Sequence, residues 1–420
     1  MRTLLEKTLA CLAKTNPKLH REELAKLADD RWLSNLLGIK KNSETLMPDI
    51  PGGVLLYDSH QTKQPTQWFD NFHGLQDGGV LWLAHIKSKA LVVTRIEISQ
   101  RTSVTFEFPV EASGQSAFEH LVLARSPRFL VVADQYRVLA IPVSAQPPYL
   151  STSNYEIIGP KFGADDTGGS FDRVINAGRG TNYCRVTAVV PCNDTLYIGL
   201  DQRTHDYSNR YGAIYRWRPG ARDSELICAS SSLKPGPLND CLPYSLIGGF
   251  AAADGNAVNF FLTHIPRQPS TFAEGQRQGA WKFTPASSRW EQLSAGRLGS
   301  PRQRPLFVSD TIFELPADEG NDRINVQTME IRHAAGDVTG AAEGHGWEAK
   351  SEKGSGVHYE RVYRVDGKKR TRLFSLSGRE FEIGELIPTE QGLVIIIPCL
   401  QPGGNKPTAR GVVYLLPQER

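Results

Sequence analysis

The sequence predicts an all-β chain of repeating units, preceded by a short helical hairpin. Three observations lead there. From residue 50 onward, short apolar runs are broken by turn residues and no stretch sustains a 3.6-residue period. Gly (38) and Pro (26) are abundant for a chain of 420 residues, as a turn-rich β protein requires. Segments that read turn, then apolar strand, recur with a spacing of about 67 residues.

Residues 1–45 carry the hairpin. Leu5, Leu9 and Leu12 form one helical stripe with Glu6, Lys7 and Lys14 elsewhere, and Asn16-Pro17 closes that helix and opens the next. The second helix places Leu24, Ala28, Trp32 and Leu36 at i, i+4 spacing and stops at Gly38. Such a stripe serves either to dock a partner or to cover the chain's own β body.

The repeat is seen by aligning turns with the strands after them. Ser126-Pro127 precedes Phe129 to Val132, Asn193-Asp194 precedes Leu196 to Ile198, Asp254-Gly255 precedes Val258 to Phe261, and Gln391-Gly392 precedes Leu393 to Ile397. Polar residues close these strands at Asp134, Asp201, His264 and Gln401, and the long interval between the last two places a further unit end near His333. A second marker follows each unit: Gly212 to Trp217, Gly279 to Phe283, Val362 to Val365 and Gly411 to Leu415. It reads as a third strand, often followed by a fourth such as Ser224 to Ile227.

Four strands per unit are the content of a propeller blade, and the body resembles β-propeller proteins in architecture. A single twisted blade cannot bury both its faces, whereas a closed ring buries them against neighbours. The count favours six blades over residues 50–417, with five or seven as alternatives, and ring closure requires Gly53 to Tyr57 and Gly411 to Leu416 to lie in one blade or in adjacent ones. A pair of β-sandwich or barrel domains is the competing architecture. No Trp-Asp blade signature and no kelch double-glycine series recurs, so the repeat points to no family. Residues 145–182, 265–278 and 334–357 read as insertions, the last a flexible one rich in glycine.

Charge excludes little. Lys plus Arg number 48 against 45 Asp plus Glu, so any nucleic-acid contact has to come from a local patch. The absence of a signal-like apolar segment near the N-terminus and of any 18-residue apolar run predicts a cytoplasmic protein without membrane contact. The six cysteines are dispersed without a metal-finger spacing, and are expected as reduced thiols. The sequon Asn193-Asp194-Thr195 matters only in an exported chain.

Sequence motifs for nucleophile elbows, zinc proteases, P-loops and dinucleotide turns are missing, and no cofactor or metal is expected. Asp318-Glu319-Gly320-Asn321-Asp322 departs from a calcium loop at its third and twelfth positions and reads as an acidic hairpin turn. The expected role is therefore a non-enzymatic scaffold, adaptor or regulatory subunit holding protein partners in a larger assembly. Its contact residues are Arg203, His205, Tyr207, Arg210, Tyr211, Arg216, Trp217 and Arg218, a mixture of arginine and aromatics suited to interfaces. The alternative is a funnel-site hydrolase or lyase, with or without a metal, using Asp134, Asp201, His264 and His333 at equivalent strand ends. Polar strand ends also meet a simpler need, because strand ends face solvent. A nucleic-acid-binding subunit using the arginine-aromatic cluster is the third reading.

Overall fold

The computed structural model describes residues 48–59, 66–67, 73–87, 90–109, 121–133, 138–158, 183–203, 210–221, 224–229, 244–264, 279–295, 298, 306–309, 312–317, 320–335, 338–342, 345–354, 357–366, 368–377, 383–400 and 408–418. The hairpin expected over residues 1–45 lies outside the described residues.

Strands β1 (Val54–Asp58) and β2 (Thr66–Gln67) come first in the chain. Blade one is then β3 (His73–Asp77), β4 (Val80–Lys87), β5 (Ala90–Glu97) and β6 (Thr102–Phe108). Blade two is β7 (Val122–Arg125), β8 (Phe129–Ala133), β9 (Val138–Pro142) and β10 (Glu156–Ile158). Blade three is β11 (Tyr183–Cys192), β12 (Thr195–Arg203), β13 (Arg210–Trp217) and β14 (Glu225–Ala229). Blade four is β15 (Tyr244–Ala251), β16 (Val258–His264), β17 (Gly279–Thr284) and β18 (Arg289–Ala295).

Blade five is β19 (Leu306–Ser309), β20 (Ile312–Ala317), β21 (Gly320–Asn325) and β22 (Ile331–Ala335). Blade six is β23 (Val338–Ala342), β24 (His345–Gly354), β25 (Val357–Asp366) and β26 (Lys369–Ser377). Blade seven is β27 (Glu385–Thr389), β28 (Gly392–Leu400) and β29 (Thr408–Pro417), completed on its outer side by β1. Leu55 pairs with Tyr414 and Asp58 with Val412, so the first and last strands share one blade, as ring closure requires. β2 extends the same edge, with Thr66 opposite Ala409.

The ring therefore has seven blades where six were expected. The third-strand markers fall on β13, β17, β25 and β29. The additional blade lies between His264 and Gln401, an interval that holds the second strands of two blades, β20 and β24, instead of one. These two blades are compact, joined by connections as short as 318–319, 336–337 and 343–344. The expected insertion at 334–357 supplies β23 and β24, whose polar, glycine-rich sequence carries no apolar run. The acidic segment around Asp318 is the β20–β21 connection.

Each first strand lies innermost. β3 adjoins β7, β7 adjoins β11, β11 adjoins β15, β19 adjoins β23, β23 adjoins β27, and β27 returns to β3. Because neighbours cover both faces, strands such as β8 are buried throughout and read as apolar runs without alternation. Six apolar clusters seal six of the seams: one to two, two to three, three to four, four to five, six to seven and seven to one.

Among the described residues, the seam between blades five and six has no such cluster. Phe313 and Ile324 face blade four, so alternation turns the fully buried Glu314 and its cross-strand neighbour Arg323 toward blade six. Val362 and Phe374 face blade seven, which turns the buried Glu348 toward blade five. Arg323 Nε lies 3.1 Å from Glu314 Oε2, and Arg370 Nε 2.7 Å from Glu348 Oε2. A buried carboxylate needs such a partner, since desolvating it alone costs several kcal/mol.

Candidate functional site

Strand direction alternates within a blade, so the two ends of the ring differ. Turns between first and second strands, and between third and fourth, leave from one end. They are short, as at 78–79, 193–194, 285–288 and 390–391, the longest being 143–155. The second-to-third connections and the blade-to-blade crossings leave from the other end. These include 110–120, 159–182, 204–209, 230–243, 265–278 and 401–407.

The tight-turn end is tied from blade to blade. Arg125 Nε donates to Asp77 Oδ2 at 3.0 Å, Arg128 Nη1 to Asp194 Oδ2 at 3.3 Å, and Asn193 Nδ2 to the Gly255 carbonyl at 3.2 Å. Asn193, the sequon residue, takes a φ of 53° in its turn. These links join the turns of blades one to four in sequence. Surface pairs of this kind add little energy each, and they fix the relative placement of the turns.

At the long-connection end, two innermost strands meet through a buried carboxylate. Glu385 opens β27 and His73 opens β3; their side chains are bonded through Oε1 and Nδ1 at 2.7 Å. The second carboxylate oxygen accepts the Gly74 backbone N–H at 2.8 Å. A Cβ on Gly74 would stand 2.5 Å from Ile387 Cδ1, so the glycine lets blade one approach blade seven closely. His73 Nε2 is shielded from solvent with no hydrogen-bond partner among the described residues. A carboxylate on Nδ1 orients the imidazole, and together with the Gly74 bond it ties blade seven to blade one.

The candidate catalytic residues separate. Asp201 lies on β12 opposite Arg185 and Gly212, and His264 ends β16 opposite Tyr244, both toward the long-connection end. Asp134 lies outside the described residues, directly after β8. His333 does not share their position. It lies on β22, the outermost strand of blade five, two strands and about 10 Å outward from the second-strand position. There its Nδ1 is bonded to the buried Asp322 Oδ1 at 2.9 Å, so it is removed from any axial constellation. Among the described residues, no group of three or more His, Cys, Asp or Glu is placed to hold a metal ion.

The arginine-aromatic cluster is also divided. Arg203 and Arg210 face each other across the β12–β13 pair at the long-connection end, with Tyr211 next to them in β13. His205 and Tyr207 belong to the connection 204–209, outside the described residues. Trp217 is seven residues along β13 from Arg210, about 23 Å away at the opposite end. It is buried, its ring lies edge-on to Phe129 at 6.2 Å, and its Nε1 donates to the Ala221 carbonyl. It is a core residue of the seam between blades two and three instead of a contact residue. Arg216 Nε donates to Glu225 Oε2 at 3.1 Å, and Arg218 is exposed beside them.

Buried hydroxyls and thiols are held in their neutral forms. Burial pushes the Tyr57 and Tyr197 phenols up to about 12, and it also raises the Cys192 thiol. Cys192 is a buried thiol, and a raised thiol is a poor nucleophile. Among the described residues no helix is long and apolar enough to cross a membrane.

No protein-family model matches the sequence, and no curated protein matches it. Solved structures with similar folds include the oligogalacturonate lyase of Vibrio parahaemolyticus, at 11% identity and a TM-score of 0.41 over 84% of this chain and 91% of that one. The polysaccharide lyase Uly1 is similar at 12% identity and a TM-score of 0.39, covering 83% and 90%. Sqt1 of Saccharomyces cerevisiae is similar at 9% identity and a TM-score of 0.38, covering 89% and 100%. Likeness at this level carries no argument about activity.

Proposed function

We propose that the protein is a non-catalytic β-propeller scaffold, acting in the cytoplasm, that holds protein partners at the long-connection end of the ring. The asymmetry of the two ends carries this reading: at one end tight turns are linked across blades one to four, while most of the long connections leave from the other. Arg203, Arg210 and Tyr211 at that end supply residue types favoured in protein contacts. Purification of the tagged protein from its native source in mild salt, with and without nuclease, tests it. A stoichiometric protein partner that survives nuclease supports the scaffold, and retention of nothing refutes it. A partner lost with nuclease supports the nucleic-acid reading instead.

The alternative, a hydrolase or lyase, rests on Asp201 and His264 lying toward the same end of neighbouring blades. Its substrate-converting activity would have to vanish in both D201N and H264Q. Activity unchanged in either variant removes that pair from the chemistry.

A further inference from the structure

Among the described residues, every blade ends outward in a strand with one unpaired edge, and these edges are not alike. β26 is the longest outer strand, with nine residues against five in β1, seven in β6, three in β10, five in β14, seven in β18 and five in β22. Lys368, Lys369, Arg370, Thr371 and Arg372 are all exposed, four cations in five residues without an acid. Arg370 is held by Glu348, whereas Lys368, Lys369 and Arg372 make no ion pair among the described residues. Elsewhere the outer strands are balanced or acidic: β10 has Glu156, β14 has Glu225, and β18 sets Arg289 beside Glu291. On β22, Arg332 is paired with Glu330 and His333 with Asp322.

An open edge offers a row of backbone donors and acceptors that another extended chain can satisfy, here the regular stretch Lys369 to Arg372 ahead of a bulge at Leu373. Cations along it set which chain that is. A second copy of β26 would bring lysine and arginine against lysine and arginine, so self-pairing is repelled. An extended segment with acidic side chains gains both the backbone ladder and opposite-charge pairs on both faces of the strand, since Lys369 and Arg372 point to opposite sides.

We propose that the outer edge of blade six binds an acidic extended segment of a partner protein, which joins the sheet as a fifth strand beside β26. This deepens the scaffold reading and rests on it for its biological use. The test measures anisotropy of a fluorescein-labelled peptide of about twelve alternating Glu and Thr residues, long enough to span β26, against the full chain. The K369E/R372E variant changes only exposed side chains, and an unchanged thermal melt confirms its fold. Expected are binding that weakens at least about tenfold in the variant, loss of binding when alternate peptide amides are N-methylated, and slowed amide exchange over residues 369–377. Equal binding to the variant, equal binding of the N-methylated peptide, no binding at about 50 mM salt, or equal binding of an RNA oligonucleotide of matched charge overturns it. Native-source purification of K369E/R372E separates the two readings. A partner retained equally by wild type and variant leaves the scaffold standing and removes this site, whereas no partner with either removes the scaffold alone.

Discussion

Replacing Glu385 measures what holds blade seven to blade one at the inner ring. In Glu385→Ala the buried Gly74 N–H loses its acceptor and His73 Nδ1 loses its carboxylate, both bonds being short at 2.8 and 2.7 Å. An orphaned buried amide costs about 1–3 kcal/mol and the imidazole bond about 1 kcal/mol more, so Glu385→Ala loses about 2–4 kcal/mol. Glu385→Gln retains most of this, because its carbonyl still accepts from Gly74 while its amide donates to Nδ1 of the other imidazole tautomer; its cost is below about 1 kcal/mol. Urea unfolding gives the shift in midpoint at constant slope, and hydrogen exchange reads the Gly74 amide directly. A loss of about 2 kcal/mol felt locally speeds that amide about 30-fold. If Glu385→Ala and Glu385→Gln both match wild type within about 0.5 kcal/mol and the Gly74 amide exchanges at its original rate, the lock between the blades is refuted.

Three other outcomes follow from the same packing. Arg323→Met withdraws the arginine from the fully buried Glu314 and destabilises by about 3 kcal/mol in urea unfolding, and pairing it with Glu314→Leu recovers most of the loss. Gly392→Ala destabilises by about 1–3 kcal/mol on the same assay, since the residue sits at a φ of 141° and its Cβ would stand 2.2 Å from the Leu416 carbonyl oxygen. Tyr57 and Tyr197, two of thirteen tyrosines, ionise near 12 in the fold but near 10 in the unfolded chain. The unfolded state therefore releases those protons first, and stability that is complete below pH 10 falls by about 2–3 kcal/mol for each tyrosine as pH rises to 12. Phenolate absorbance that rises in one step near 10, with no delayed fraction, contradicts their burial.

What the sequence discloses depends on how each blade buries its faces. β8, β12, β16 and β28 stand between neighbours on both sides, so Phe129 to Val132 or Leu393 to Ile397 appear as unbroken apolar runs between turns. The repeat, the third-strand markers and the meeting of the two chain ends were legible for that reason. β24 was not, because its residues HGWEAKSEKG alternate charges with small side chains in the ionic seam of blades five and six. Missing that blade also displaced His333, whose pairing with Asp322 belongs to an outer strand. Trp217 looked like a contact residue beside arginines, and only the register of β13 shows that it turns into the core. His73 and Glu385 are 312 residues apart and carry no local motif; closure of the ring alone brings them together.

Closure of the ring by the N-terminal strand is tested most directly by joining that strand to its partner. Val54 lies opposite Leu415 in the β1–β29 pair. Cysteines at both positions, in a chain whose Cys11, Cys184, Cys241 and Cys399 are replaced by serine, stand across the strand pair within reach of a disulfide on treatment with a mild oxidant. A closed seven-bladed ring gives an intramolecular cross-link in high yield, read as a mobility shift that requires both cysteines and disappears when the chain is unfolded before treatment. No shift in the folded double-cysteine protein, or a shift equal to that of either single variant, contradicts the ring.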